Sequence, residues 1–221
     1  MNITHNPPRL LAVSDIHGHS GGLELLLAEA GYSPQRDRLV LLGDYINADP
    51  YTWGTLDLIQ RLTEGGATAL LGNLEVSLLR KTNGTAERLV PADRLDWLSA
   101  LPYYAIVDDW LFVHAGLRPG VPLDRQTPDD LTGIRDEFWS AVPDCGYAVV
   151  FGHTPTFKLG AGPGDVWSAA GRLGIDTGAK HGQRLTLLDL SGKLAYSCST
   201  SPANLYGDVR RHTLRLSGRV K

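Results

Sequence analysis

The sequence has 221 residues, of which 43% are hydrophobic and 20% are charged, and its formal net charge is −3. This balance excludes a disordered chain, and the near-neutral charge argues against a protein dedicated to duplex nucleic acid, which needs many positive contacts. The two cysteines, Cys145 and Cys198, favour a reducing compartment, and without an apolar run of about 20 residues or a signal-peptide pattern we expect a cytoplasmic protein with no membrane partner.

The first half of the chain alternates short apolar runs with helical stretches. Residues 10–13, 38–42 and 67–71 are typical of buried strands, whereas residues 22–32 and 53–63 carry apolar side chains at helical spacing. Strands that alternate with helices through short connections predict parallel pairing by right-handed crossovers.

The second half predicts a different order of elements. In chain order, the pattern indicates a helix over 91–101, a hairpin of 103–107 and 110–113, a helix over 128–141, strands at 147–151 and 172–175, and a hairpin of 184–189 and 193–199. Because we find no internal repeat and no long linker, we predict a single domain over residues 1–205. Residues 206–221 then form a basic tail, for which a solvated terminus is favoured over an anionic partner.

Residues that can bind a metal ion stand at the ends of five predicted strands. They are Asp15 and His17, Asp44, Asn73, His114, and His153, most of them beside a glycine. The carboxyl ends of strands in an open α/β sheet meet at one crevice, and carboxylates, imidazoles and an amide oxygen suit manganese, zinc or iron. Any one of these residues could serve only as a helix cap or a structural hydrogen-bonding group. Their joint placement predicts a metal site.

The same segments resemble the motifs of the calcineurin-like metallophosphoesterases. The likeness is carried, in the family's order, by Ser14-Asp15-Ile16-His17-Gly18, Gly43-Asp44, Gly72-Asn73-x-Glu75, His114-Ala115-Gly116 and Gly152-His153-Thr154. The segments 151–155 (FGHTP) and 175–179 (IDTGA) are similar to those of small bacterial and phage PPP-type serine/threonine protein phosphatases. The resemblance extends from about residue 10 to about residue 190.

This resemblance implies an α/β fold, a four-layer αββα sandwich with two mixed β-sheets flanked by helices. It also implies two divalent transition-metal ions, with manganese favoured and iron or zinc as the other options. The implied ligands are Asp15 and His17 for the first ion, Asp44 as the bridge, and Asn73, His114 and His153 for the second.

Arg135 matches the family's phosphate-binding arginine. A guanidinium can grip two phosphoryl oxygens at once, although a surface ion pair would also explain the residue. The resemblance therefore implies catalytic roles for Asp44, Asn73 and Arg135.

Two motifs depart from the family's pattern. Where the family has an aspartate and an arginine after Gly-Asp and a histidine after Gly-Asn, this chain has Asn47, Ala48 and Leu74. In the family the histidine protonates the leaving alkoxide and the aspartate orients it, so the resemblance implies that the general acid is missing. General acid catalysis contributes roughly 10²–10⁴-fold. We therefore predict a metal-dependent phosphoesterase that favours aryl esters, diesters or phosphate anhydrides over phosphoserine.

Three aromatic residues, Tyr45, Tyr51 and Trp53, lie close in sequence to this change. They are predicted to contact a ring of the substrate, although simple packing of the loop onto its helix remains the other interpretation.

Two other functions stay open at the level of sequence. One is a catalytically weak pseudophosphatase that acts as a regulatory binding module, and the other is a dinucleoside polyphosphate hydrolase, a related enzyme with the same metal motifs. In every case the expected partner is a phosphorylated substrate, whether a small molecule, a nucleotide or a phosphoprotein.

Overall fold

The computed structural model describes residues 8–47, 49–82 and 90–214. Within these ranges the strands are β1 (Arg9–Val13), β2 (Asp37–Leu41), β3 (Thr68–Ala69), β4 (Tyr104–Val107), β5 (Trp110–Val113), β6 (Ala148–Phe151), β7 (Trp167–Ala169), β8 (Arg172–Gly174), β9 (Arg184–Asp189), β10 (Leu194–Ser199) and β11 (Arg210–Thr213). The helices are α1 (Ser20–Glu29), α2 (Thr55–Glu64), α3 (Asn73–Thr82), α4 (Ala92–Ser99), α5 (Pro128–Gly133) and α6 (Asp136–Trp139).

The strands form two mixed sheets. The first has the order β11-β10-β9-β1-β2-β3, and the second has the order β4-β5-β6-β8-β7. The parallel pairing predicted for the first half is confirmed, because β1 pairs with β2 and β2 with β3 in parallel. The predicted hairpin of β4 and β5 is also present, with β5 pairing in parallel to β6 on its other side.

The side chains of β1 point alternately to the two faces of its sheet, which shows how the layers of the sandwich are stacked. Leu10 and Ala12 belong to a core cluster that also contains Phe112 of the second sheet, so this cluster lies between the two sheets. Leu11 and Val13 point the other way and pack with α1 and α2. A third cluster covers the outer face of the second sheet with α5 and α6. The predicted αββα sandwich is therefore confirmed.

Several predicted elements differ from the observed ones. The helix expected over residues 128–141 is divided into α5 and α6, because Ile134 adopts an extended backbone (φ −60°, ψ 150°). Helix α3 and the short strand β7 were not predicted. No helix in the described parts of the chain has both the length and the apolar character needed to cross a bilayer.

The prediction that residues 206–221 form a separate tail is wrong for residues 210–213. Residues 210–213 form β11, which pairs antiparallel to β10 at the edge of the first sheet, with Arg211 opposite Tyr196. All of β11 is exposed, so its side chains give no alternating pattern that would predict a strand. Residues 215–221 lie outside the described residues.

Candidate metal centre

The residues predicted to bind metal converge at one edge of the sandwich. Asp15 and His17 follow β1, Asp44 follows β2, and His114 and His153 follow β5 and β6. Asn73 is the first residue of α3, which follows the short strand β3 after residues 70–72. All but His114 are among the residues that line a cleft of about 220 Å³, and His114 is buried beneath it.

The backbone at these strand ends is strained. Asp15, His17, Asp44 and His153 have φ angles of 55°, 49°, 52° and 63°, in the left-handed region that residues other than glycine rarely adopt. Such conformations cost of the order of 1–3 kcal/mol each and persist only where the surroundings enforce them. Hydrogen bonds between neighbouring loops do so here, including His17 N–H to Asp44 O at 3.0 Å and His153 N–H to the Asp15 carboxylate at 2.9 Å.

Two glycines let these loops approach one another. A Cβ atom at Gly152 would lie 2.1 Å from an oxygen of the Asp15 carboxylate, and one at Gly72 would lie 2.4 Å from an oxygen of the Asp44 carboxylate. Neither position has room for a side chain, which explains why glycine stands beside the ligand candidates in the sequence.

The side-chain donors form two groups that share Asp44. One ligand atom from each of Asp15, His17 and Asp44 lies within 4.8 Å of the others, and the same holds for Asp44, His114 and His153. Each group offers carboxylate oxygen and imidazole nitrogen, the mixture that suits borderline divalent ions.

The hydrogen bonds of the histidines fit a cation. Nδ1 of His114 donates to the carbonyl oxygen of Leu42 (2.9 Å), and its Nε2 lies 3.1 Å from Oδ1 of Asn73. Nε2 of His153 is buried and has no hydrogen-bond partner among the described residues. A buried ring nitrogen without a hydrogen-bond partner leaves a lone pair for a metal ion, and a backbone carbonyl that holds the other ring nitrogen, as Leu42 does for His114, is typical of metal-binding histidines.

Burial and neighbouring charges set the protonation of two of these histidines. Burial, assisted by the charges of His114 and Arg135, lowers the pKa of His153 to about 3, so this ring is neutral and able to bind a metal at physiological pH. Burial alone would lower the pKa of His17, but the carboxylates of Asp15 and Asp44 raise it to about 9. A metal ion that binds His17 would therefore displace a proton.

Glu75 joins two of the loops without lining the cleft. Its buried carboxylate accepts backbone hydrogen bonds from Asp44 (2.8 Å), Tyr45 (2.9 Å) and Gly72 (3.0 Å). Burial and the nearby charge of Asp44 raise the pKa of Glu75 to about 7. These contacts fix the position of Asp44 relative to Asn73, the first residue of α3.

The other predicted site residues are placed differently. Arg135 lines the cleft and lies at the junction between α5 and α6.

The substrate contact predicted for Tyr45 is wrong, because this side chain is fully buried and its hydroxyl lies 2.9 and 2.7 Å from the carbonyl oxygens of Leu41 and Leu70. Trp53 packs against the core cluster between the first sheet and its helices, and its indole N–H donates to the carbonyl oxygen of Asn47 (3.2 Å). This placement agrees with packing of the loop onto its helix. Ala48 and the Tyr51 side chain lie outside the described residues.

The two altered motif positions also have defined surroundings. Leu74 is half-buried and packs against the core cluster between the first sheet and its helices. The side-chain amide of Asn47 donates to the carbonyl oxygen of His17 (3.0 Å), while its Oδ1 is buried without a hydrogen-bond partner among the described residues. Neither residue offers a proton to a leaving group.

Besides Pro155, four polar residues that line the cleft were not predicted as site residues. They are Asp176, which follows β8, and Lys158, Lys180 and His181, which belong to short 3-10 turns after β6 and β8. The rule that identified the metal ligands, a polar residue just after a strand, would also have found Asp176. No rule of spacing identifies the two lysines, because both are exposed and chemically ordinary.

A comparison with protein families decides where this site belongs. The calcineurin-like phosphoesterase model matches residues 8–179. The chain belongs to the calcineurin-like phosphoesterase family. The matched range contains every predicted metal ligand and Arg135. Calcineurin-like phosphoesterases use a divalent-metal centre, and candidate ligands for such a centre are present in this cleft.

Known relatives extend this comparison. The chain is 32% identical over 124 residues to a symmetrical bis(5′-nucleosyl)-tetraphosphatase of Aromatoleum aromaticum, and 36% identical over 126 residues to one of Acidovorax ebreus. These matches cover half of this chain, and the chain covers less than half of each relative (45% and 44%).

Solved structures share the fold. The crystal structure of a putative diadenosine tetraphosphatase matches 91% of this chain and 96% of that chain, with a TM-score of 0.74 and 28% identity. A cold-active protein-tyrosine phosphatase of a psychrophilic Shewanella species matches 95% of this chain and 81% of its own, with a TM-score of 0.62 and 17% identity, which is a likeness of fold alone.

Replacing His153 by alanine should reduce the metal content of the protein. We expect the wild type to retain two manganese ions per chain after dialysis and His153→Ala to retain fewer, because the substitution removes a buried ring nitrogen that has no hydrogen-bond partner among the described residues. Elemental analysis by mass spectrometry measures this directly. The control is His212→Ala, which removes an exposed histidine of β11. Equal metal content in all three proteins would show that His153 is not a ligand.

Replacing Glu75 by glutamine should loosen the cleft. A glutamine side chain offers one oxygen and an NH₂ group where three backbone N–H groups converge, so a buried donor is left unpaired at a cost of about 1–3 kcal/mol. Urea unfolding at pH 8, above the raised pKa of Glu75, measures the loss, which should be accompanied by weaker manganese binding. The exposed Glu64→Gln is the matched control. A stability within about 0.5 kcal/mol of the wild type would contradict this role.

Proposed function

We propose that this phosphoesterase hydrolyses the phosphoanhydride of dinucleoside polyphosphates, adding water across one P–O–P link and releasing two nucleotides. The observation that carries the proposal is Leu74. It occupies the position of the family's proton donor, packs against the core, and leaves the site without a general acid there.

The leaving group explains why an anhydride suits this site. A phosphoserine leaves as a strongly basic alkoxide, which needs a proton and loses the roughly 10²–10⁴-fold contribution of a general acid. A nucleotide leaves through a terminal phosphate, whose second pKa is about 6. Such an oxygen departs as an anion without receiving a proton, so leucine at position 74 costs the reaction little.

The residues of the cleft have separate tasks in this reaction. Asp15, His17 and Asp44 would hold one ion, and Asp44, Asn73, His114 and His153 the other. Bound there, a pair of divalent ions would supply a hydroxide nucleophile at neutral pH and offset the charge of the phosphoryl group. Arg135 would hold two oxygens of the attacked phosphate and orient it. The P–O bond to the bridging oxygen then breaks, and the electron pair leaves with the second nucleotide.

The relatives support the same substrate class. Two curated relatives are named symmetrical bis(5′-nucleosyl)-tetraphosphatases, and a structure with a TM-score of 0.74 is titled a putative diadenosine tetraphosphatase. Since the chain covers less than half of those curated relatives, this support concerns only the matched half of this chain.

A substrate panel tests the proposal. With manganese, we expect kcat/KM for diadenosine tetraphosphate to exceed that for a phosphoserine peptide by at least about 100-fold, with an aryl phosphate and its diester between them. Liquid chromatography should show nucleotides as the only products of the dinucleotide. Faster hydrolysis of phosphoserine would refute the proposal. Bound metal without turnover of any substrate would instead indicate a pseudophosphatase.

Restoring the missing acid should change the preference. In Leu74→His/Asn47→Asp we expect kcat/KM for phosphoserine to rise at least about tenfold, with little change for the dinucleotide, because only the alkoxide needs a proton. The matched control is Leu74→Gln/Asn47→Asp, which is polar at the same position but does not transfer a proton. An equal gain in both double variants would show that polarity or loosened packing, rather than acid catalysis, causes the effect.

A further inference from the structure

Two lysines lie at the rim of the metal cleft. Lys158 belongs to the 3-10 turn Thr156–Leu159, which follows β6, and Lys180 belongs to the turn Ala179–His181, which follows β8. Both line the cleft together with the metal-ligand candidates and Arg135. We call Lys158 and Lys180 the rim lysines.

Contacts between the two turns bring the rim lysines to the same side of the cleft. The ring of His181 packs edge-on against Phe157, with the ring centroids 5.6 Å apart, so the turn after β8 touches the turn after β6. The positive charges of both lysines also contribute to lowering the pKa of His181, after burial. Lys158 and Lys180 therefore flank one histidine.

In the described part of the chain, the rim lysines are not neutralised by a carboxylate. Both are exposed, and neither forms an ion pair within residues 8–47, 49–82 and 90–214. The carboxylates that line the cleft, such as Asp15 and Asp176, are buried at its inner end. The cleft is thus acidic inside, where it would hold metal ions, and basic at its mouth. Such a mouth attracts an anion that extends outward from the reacting centre.

We propose that Lys158 and Lys180 bind the phosphates of the substrate that are not attacked, and thereby select phosphate chains over monophosphates. This inference rests on the proposed function, since it assigns the inner cleft to the phosphate that reacts.

The chemistry of lysine suits this task. An ammonium group is a mobile point charge that can follow a flexible chain of phosphates, whereas the planar guanidinium of Arg135 suits one phosphoryl group held in a fixed orientation. Each exposed charge contributes modestly, so the pair should account for about a tenfold difference in binding rather than for turnover. The effect should appear in KM and in inhibitor binding, and it should weaken with salt.

Inhibition by inorganic phosphates tests the inference. The wild type and Lys158→Gln/Lys180→Gln would hydrolyse an aryl phosphate with excess manganese, in the presence of inorganic tripolyphosphate or orthophosphate. We expect the inhibition constant of tripolyphosphate to rise about tenfold in the double variant and that of orthophosphate to change less than about twofold. Lys81→Gln, an exposed lysine of α3 outside the cleft, is the matched control. Calorimetric titration with tripolyphosphate gives a second readout that needs no turnover.

The outcomes separate this inference from the proposed function. The inference is overturned if tripolyphosphate binds the wild type and the double variant equally. It is also overturned if the inhibition constant of orthophosphate rises as much as that of tripolyphosphate, because the rim lysines then do not distinguish a phosphate chain from a single phosphate. If the wild type cleaves no dinucleotide while tripolyphosphate binding still depends on both lysines, the substrate proposal fails and the inference stands. Unchanged KM for diadenosine tetraphosphate in the double variant would overturn the inference while leaving the proposed function intact.

Discussion

The metal cleft depends on one buried carboxylate that does not line it. Glu75 lies under the loops and accepts three backbone N–H groups, from Asp44, Tyr45 and Gly72. Without an acceptor of this kind, two strand ends would meet with unpaired donors in the protein interior, where each would cost about 1–3 kcal/mol. Because Glu75 is buried and near Asp44, its own charge is disfavoured, and its pKa rises to about 7. Glu75 thus holds Asp44, the residue shared by both donor groups, in position even though the negative charges of the two buried carboxylates repel each other.

Hydrogen bonds between loops also maintain the strained backbone of the ligand candidates. Four of them hold left-handed φ angles, and loop-to-loop hydrogen bonds such as His17 N–H to Asp44 O keep them there. Glycine is required where loops touch, as at Gly152 against Asp15. Together, the strained backbone, the glycines at the loop contacts and the Glu75 carboxylate place the candidate ligand atoms within reach of common positions. Nε2 of His153, buried without a partner among the described residues, shows what that arrangement leaves open for a cation.

The charge of the cleft changes from acidic at its inner end to basic at its mouth, and this distribution fits the proposed dinucleoside polyphosphate substrates. Buried carboxylates suit metal ions, Arg135 suits a phosphoryl group, and the rim lysines suit further phosphates. The leucine at position 74 removes a proton donor that an anhydride does not need. A substrate with a chain of phosphates and a weakly basic leaving oxygen satisfies all these features together, which a phosphoserine side chain does not.

The parallel strands of the first half and the convergence of the metal-ligand candidates could be predicted from the sequence, because they follow from local periodicity and from the rule that strand ends meet at one edge. The sandwich was implied by the resemblance of the sequence motifs to those of the calcineurin-like metallophosphoesterases. Where side chains point after a turn follows from tertiary contacts alone. These contacts directed Tyr45 inward to backbone carbonyls, ended the helix predicted over 128–141 so that Arg135 reaches the cleft, and paired Arg210–Thr213 with β10. The reason is physical. The position of the Tyr45 hydroxyl and the pairing of β11 depend on hydrogen bonds to other segments of the chain, and no local pattern of residues encodes such contacts.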